Sequence, residues 1–295
     1  MHSLQRTFIP GDSWVYYKIY TGAKTSDILL KELLKPITEK LIDEEIIDQW
    51  FFIRYADPKH HIRIRFHCKD KNNIGKVIGG LHEGLAAFVK ADLVWKIQLD
   101  TYNREIERYG VKHIALAEKL FYHESQMIVN LLDLIGGQDG EEIRWLFGIR
   151  ALDSMLADFG FSEDEKLEFM QRLKSSFGIE FGMDKYLKKQ LDKKYRTLID
   201  KIYFIMNLKT QEGSQYNVLL ELLAQKEKVC TPIIKKIKKD IDITILNNYL
   251  ASYAHMLMNR LFRSKNRLHE MVVYDLLYRH YKKAWGLRTF KNKKD

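Results

Sequence analysis

The sequence predicts an α+β fold: an N-terminal ferredoxin-like βαββαβ unit with an antiparallel sheet, packed against a C-terminal helical region. Three observations carry this expectation. Short runs rich in aromatic and β-branched residues occur only before Tyr102. Two stretches with helical apolar spacing interrupt those runs. From Gly110 onward the pattern is helical throughout. The expected division is 1–109 for the α+β subregion and 110–295 for the helical subregion, the two forming one functional domain.

Taken in order, WVYYKIY (Trp14 to Tyr20) reads as the first strand. Thr25 to Leu41 carries Ile28, Leu29, Leu33, Leu34, Ile37 and Leu41 at helical spacing, with Pro36 expected to kink or split it near Lys35. WFFIRY and HIRIRF form a hairpin around Ala56 to His60, where Asp57-Pro58 supplies turn chemistry. Asn72 to Val89 is a second helix, loosened by Gly79-Gly80, and VWKIQLDTY (Val94 to Tyr102) is the fourth strand. In such a unit the first and third strands are central and both helices cover one face. Downstream, GGQDG (Gly136 to Gly140) breaks the helical pattern, and Ser162 with Glu165 forms a capping box. Met183 to Leu208 is a long amphipathic helix, and Thr231-Pro232 reads as an N-cap and first-turn proline. Helices over Ile243 to Phe262 and Lys265 to Tyr281 follow, and the tail KNKKD is a frayed end.

Composition narrows the function classes. The 295 residues are 46% hydrophobic, enough for a sizeable core. No uncharged apolar run is long enough to span a bilayer, and MHSLQRTFIPGDSW lacks the apolar core of a signal peptide, so a soluble cytoplasmic protein is expected. Cys68 and Cys230 lie far apart and read as reduced structural thiols; without CxxC or HExxH a zinc site has little support. The net charge of +10 sits in segments such as KYLKKQLDKKYRTLIDK, where acids interleave with lysines as on a solvated helix face.

Strand alternation makes one segment distinctive. In HIRIRF and its next residue, Ile62, Ile64 and Phe66 share one face, while His61, Arg63, Arg65 and His67 share the other. The apolar face meets the helices, and the cationic face lies on the open side of the sheet. An ordinary solvent-facing strand would give the same alternation. Two guanidiniums on a covered central strand would instead require anionic partners, and such forks suit a carboxylate or phosphate. In TYNREIERYG, Glu105 and Arg108 are spaced to pair on a helical turn, which alone is a surface salt bridge.

ILNNYLASYAHMLMNRLF (Ile245 to Phe262) contains no Lys, Asp or Glu. Leu246, Leu250, Tyr253, Leu257 and Leu261 form an apolar stripe, and Asn248, Ser252, His255 and Asn259 form a second one that is polar but almost uncharged. That second stripe reads as semi-buried, facing a cleft or another layer. His255 is either a satisfied interior histidine or a group that moves protons near neutral pH.

WVYYKIYTG, WFFIRYADPKHHIRIRF, TYNREIERYG and SYAHMLMNRLF followed by HEMVVYDLLYRHYKK occur in that order. Together they resemble the C-terminal domain of class I lantibiotic (lanthipeptide) dehydratases, also called the thiopeptide-type bacteriocin biosynthesis domain, from about Trp14 to about Tyr281. In that family a large N-terminal domain transfers glutamate from glutamyl-tRNA to Ser or Thr of a precursor peptide. The C-terminal domain then eliminates glutamate to leave dehydroalanine or dehydrobutyrine. The resemblance implies a stand-alone elimination subunit of a split dehydratase, a lyase. Its paired strand arginines match Arg63 and Arg65, its glutamate and arginine after the fourth strand match Glu105 and Arg108, and its catalytic histidine matches His255. Tyr102, Asn259 and Arg260 fall beside these matches as supporting or substrate-binding residues.

The implied partners are a glutamylated precursor peptide and a separate tRNA-dependent glutamylating subunit, with no direct nucleic-acid contact and no membrane span. A homodimer is compatible with the reading. No metal or organic cofactor is implied. Pyridine synthases of thiopeptide pathways share the fold, so a cyclising enzyme is the alternative, and a non-catalytic peptide-binding subunit is the third.

Overall fold

The computed structural model describes residues 4–135, 140–210 and 216–291. Most of the expected break at GGQDG and the end of the Lys-rich tail lie outside the described residues. The chain is helix-rich, with small antiparallel sheets confined to its N-terminal part. It divides into two compact units, Met1–Gly136 and Gly137–Asp295.

The first unit contains β1 (Thr7–Phe8), β2 (Trp14–Thr21), α1 (Thr25–Ile28), a π-helical stretch Leu29–Leu34, α2 (Lys35–Asp43), β3 (Gln49–Tyr55), β4 (His61–His67), α3 (Ile74–Lys90), β5 (Val94–Leu99), β6 (Tyr102–Asn103), α4 (Ile106–Tyr109) and α5 (Ile114–Leu134). The four-stranded sheet is antiparallel in the order β3-β4-β2-β5, so β2 and β4 are its central strands. A second, two-stranded sheet pairs β1 with β6, placing Phe8 opposite Tyr102. No sequence pattern marks a two-residue strand such as β1.

One sheet face is apolar. Val15, Tyr17 and Ile19 of β2 pair with Phe66, Ile64 and Ile62 of β4, which pair with Trp50, Phe52 and Arg54 of β3. Arg54 is buried there, and donates to Ser26 Oγ and Asp27 Oδ1, each at 2.6 Å. Those bonds fasten α1 to this face. The Pro36 expectation resolves in an informative way. Proline removes one rung of the i→i−4 ladder, and the chain widens into the π-helical stretch rather than breaking. Helix α3 approaches that stretch closely at Gly84, where a Cβ would stand 2.0 Å from Leu33 Cδ1.

The cationic face was expected on the open side of the sheet, and the structure corrects this at one end. Helix α5 packs along the outer edge of β3, where Ser125 Oγ accepts the Phe52 N–H at 3.2 Å. This satisfies an edge-strand donor that would otherwise face outward. Phe121 of α5 reaches Phe51 with ring centroids 5.5 Å apart. Helix α5 therefore belongs to the sheet-bearing unit, whereas the sequence reading ended that unit at 109. Its apolar stripe looked like that of any later helix.

The second unit contains α6 (Gly140–Asp158), α7 (Glu163–Glu180), α8 (Lys185–Met206), α9 (Asn217–Lys239), α10 (Ile243–Leu261) and α11 (Asn266–Lys291). The Ser162–Glu165 capping box is present at the start of α7. The reading of Pro232 as a helix start is wrong: Pro232 lies inside a continuous α9. Leu222, Leu223, Cys230, Ile233, Ile234 and Ile237 are buried at helical spacing on both sides of it. Their burial outweighs the ~3 kcal/mol a helix-interior proline costs. Thr231 Oγ1 donates to the Glu227 carbonyl one turn back at 2.8 Å, rather than capping a new helix.

Buried ion pairs fix α11. Asp153 Oδ1 of α6 accepts from Lys166 Nζ at 2.9 Å and from the Tyr281 hydroxyl at 2.7 Å. Asp275 of α11 pairs with Lys174 at 2.8 Å and with Arg279 at 2.6 Å. Among the described residues, no helix is long and apolar enough to cross a membrane.

Candidate active site

Arg63 and Arg65 share a strand face, as alternation requires, but they sit in different surroundings. Arg65 is buried. Its guanidinium carbon lies 4.4 Å from the ring centre of Tyr16, 4.8 Å from Tyr102 and 5.1 Å from Phe51. Tyr16 and Phe51 are its register partners on β2 and β4's other neighbour β3, so the sheet itself builds two walls of this box. Tyr102 folds in from β6 as the third. Aromatic faces stabilise a cation without using its hydrogen bonds. Arg65 Nε and Nη1 are buried without an acceptor among the described residues. Buried donors of this kind cost free energy until an acceptor meets them.

The third wall is itself held. The Tyr102 hydroxyl donates to Glu118 Oε1 at 2.7 Å, and Arg104 grips the same carboxylate through Nε at 2.7 Å and Nη2 at 2.6 Å. Glu118 is fully buried. Burial, and after it the Glu118 charge, raises the Tyr102 hydroxyl well above the ordinary tyrosine range, which keeps it a donor.

Arg63 is only half-buried. Its guanidinium stacks 3.4 Å from the Tyr55 ring centre, and its Nε donates to His61 Nε2 at 3.0 Å. His61 is buried, and desolvation, with the neighbouring charges of Arg63 and Lys18, pushes its pKa down. Glu105 and Arg108 do pair, at 2.9 Å, on the exposed turn of α4. Arg63, Arg65, Tyr102, Glu105 and Arg108 all belong to the first unit, where Arg65 contacts Tyr102 and Arg108 contacts Glu105.

In the second unit, His255 is partly exposed on α10. Its Nδ1 lies 3.0 Å from Glu270 Oε2 of α11. That carboxylate is buried and also accepts from Arg267 Nη1 at 3.0 Å and from the Tyr274 hydroxyl at 2.7 Å. A carboxylate only accepts, so the Nδ1 proton points to Glu270, which leaves Nε2 as the ring nitrogen that exchanges a proton. Asn259 presents its carbonyl to Asn266 Nδ2 at 2.9 Å, and Arg260 is fully buried in α10.

Sequence reasoning missed Glu118 and Glu270. The signal was available: each is a carboxylate on the apolar stripe of its helix, beside Ile114, Ala117 and Phe121 in one case and Tyr274, Leu277 and Tyr281 in the other. The first unit offers a caged cation with two donor edges that meet no acceptor among the described residues, and the second offers a partly exposed histidine bound to a buried carboxylate. Among the described residues, no group of three or more His, Cys, Asp or Glu side chains is placed to hold a metal ion.

Residues 14–281 match the family described as lantibiotic biosynthesis dehydratase C-term, and the chain belongs to that family. Among curated proteins it is similar to the nisin biosynthesis protein NisB of Lactococcus lactis subsp. lactis, 25% identical over 274 residues. That match covers 92% of this chain and 26% of NisB, so the chain spans about a quarter of its relative's length. Solved structures share the fold, among them the two that follow. The tRNA-dependent lantibiotic dehydratase MibB from Microbispora sp. 107891 superposes with a TM-score of 0.70 at 20% identity, over 91% of this chain and 28% of MibB. The pyridine synthase TbtD from thiomuracin biosynthesis superposes with a TM-score of 0.63 at 13% identity, over 94% of this chain and all (100%) of TbtD.

Proposed function

We propose that this chain is a lyase that eliminates glutamate from glutamylated Ser or Thr of a ribosomally made precursor peptide. The observation that carries the reading is Arg65: a buried guanidinium, boxed by three rings, with two donor edges that a carboxylate would fill. In this reading Arg65, with Arg63 and Arg108, holds the carboxylates of the glutamyl group and stabilises the charge that develops on the departing one. Glu105 orients Arg108 through their ion pair. His255 Nε2 takes the α-proton of the modified residue, with Glu270 holding the ring. The Cα–H pair becomes the Cα=Cβ bond, the Cβ–O ester bond breaks, and glutamate leaves as its carboxylate. Tyr102 walls the arginine box, and Asn259 and Arg260 support the helix that carries His255.

The reading brings with it a glutamylated peptide substrate, a separate tRNA-dependent glutamylating subunit and a cytoplasmic setting. The strand order β3-β4-β2-β5 with helical crossovers supports a ferredoxin-like description of the sheet unit. The two units act as one elimination domain. A pyridine-synthase-like cyclisation is the second reading, favoured by the match along the whole of TbtD. One experiment separates them. The protein is incubated with a glutamylated peptide and, separately, with a peptide already bearing dehydroalanines, and the products are weighed by mass spectrometry. Loss of glutamate from the first supports elimination; an unchanged ester together with cyclisation of the second supports the alternative.

A further inference from the structure

Arg63, the first arginine of the pair, is supported by a histidine two residues before it on the same strand face. His61 is completely buried, with its ring stacked on Tyr20 at 4.5 Å and tilted against Tyr55 at 5.5 Å. Both of its nitrogens are engaged. Nδ1 lies 2.7 Å from the Lys59 carbonyl, and Nε2 lies 3.0 Å from Arg63 Nε. A carbonyl only accepts and a guanidinium only donates. The proton is therefore on Nδ1, the lone pair is on Nε2, and neither nitrogen has place for a second proton.

The consequence falls on Arg63. An arginine side chain loses rotamer freedom when it is fixed. Here that freedom is already removed on two sides, by the Tyr55 ring 3.4 Å below the guanidinium and by the bond to His61. The bond uses Nε and so leaves the two terminal amino groups for an anion. Arg65, by contrast, has no acceptor at Nε among the described residues. The two arginines are fixed by different means: one by rings alone, the other by a histidine acceptor and a ring.

We infer that His61 is a positioning residue for Arg63, locked as the Nδ1–H tautomer so that it aims the Arg63 guanidinium at a carboxylate of the substrate. This rests on the elimination reading for the identity of the substrate, but the His61–Arg63 bond itself does not. The role is one of preorganisation, which acts on binding rather than on the proton transfer assigned to His255.

Two measurements test it on the full chain. Nitrogen-15 NMR of the histidine rings at neutral pH is expected to find His61 as the neutral Nδ1–H form, and Arg63→Ala is expected to shift its Nε2 resonance. An Nε2–H tautomer, or a resonance indifferent to Arg63→Ala, overturns the inference. The kinetic arm uses a glutamylated peptide. His61→Ala is expected to raise KM about tenfold with kcat little changed, the effect of one charge-assisted hydrogen bond. His61→Gln, which offers one donor and one acceptor, is expected to restore KM. In an Arg63→Ala background His61→Ala is expected to add nothing. An equal cost in both backgrounds means a merely structural role and contradicts the inference. If the wild-type protein removes no glutamate, the elimination reading fails while the NMR arm still decides the bond.

Discussion

Tyr102 lies with its ring 4.8 Å from the Arg65 guanidinium while its hydroxyl donates to the buried carboxylate of Glu118 at 2.7 Å. One residue thus joins the arginine box to an internal ion pair. The box is held from behind, through Glu118 and Arg104, rather than by contacts to the guanidinium itself.

Arg65 separates function from stability. Its charge is buried with unfilled donor edges, so removing it relieves a cost while forfeiting ring contacts of similar size. Arg65→Met is expected to keep Tm within a few degrees of wild type and to lower kcat/KM for a glutamylated peptide about 100-fold or more. Thermal melts and steady-state kinetics on one preparation check both halves.

Glu118 has the opposite profile. Glu118→Ala leaves Arg104 and the Tyr102 hydroxyl without their shared acceptor in the interior. Breaking a buried pair in this way costs about 3–5 kcal/mol. Urea denaturation is expected to show that loss, and Glu118→Gln, which keeps one acceptor oxygen, is expected to show less.

Acid stability is set by histidines. Burial depresses the pKa of His61, His123, His269 and His280 in the folded chain. Below the ordinary value of 6.5 the unfolded chain binds protons that the folded chain refuses, so stability falls as pH falls. Asp48 and Asp100, held below the carboxylate range, add their loss only nearer about pH 4. Tm is expected to decline from pH 7 to pH 5, and less steeply in His61→Gln. A flat profile over that interval contradicts the assignment.

Gly84 is a contact position. Gly84→Ala would place its Cβ 2.0 Å from Leu33 Cδ1, so the helix or the leucine must move. Overpacking of this kind costs about 1–3 kcal/mol. The double variant Gly84→Ala with Leu33→Ala is expected to lose less than the sum of the single changes in denaturant melts.

Local periodicity carried much of this into the sequence. Period two placed Ile62, Ile64 and Phe66 on one face and Arg63 and Arg65 on the other, and the register confirms that division. The Ser162–Glu165 cap was equally legible, because both partners lie within one turn. What escaped depends on contacts distant in the chain. Helix α5 lies on the β3 edge through Ser125, a residue that no periodicity distinguishes. Arg63 and Arg65 look equivalent as letters, and differ because the register sets Tyr16 and Phe51 beside Arg65 and Lys18 and Ile53 beside Arg63, with Tyr102 closing on one and Tyr55 and His61 on the other. Pro232 was misread because a helix-breaking residue was weighed without the buried stripe that continues through it.

The most direct test of the elimination account is a single-turnover assay with a peptide carrying one glutamylated serine, followed by mass spectrometry. The account predicts that wild-type protein converts the ester to dehydroalanine with release of one glutamate, and that Arg65→Met and His255→Asn leave the ester intact. Persistence of the ester with folded wild-type protein, or its conversion by both variants at the wild-type rate, would contradict it.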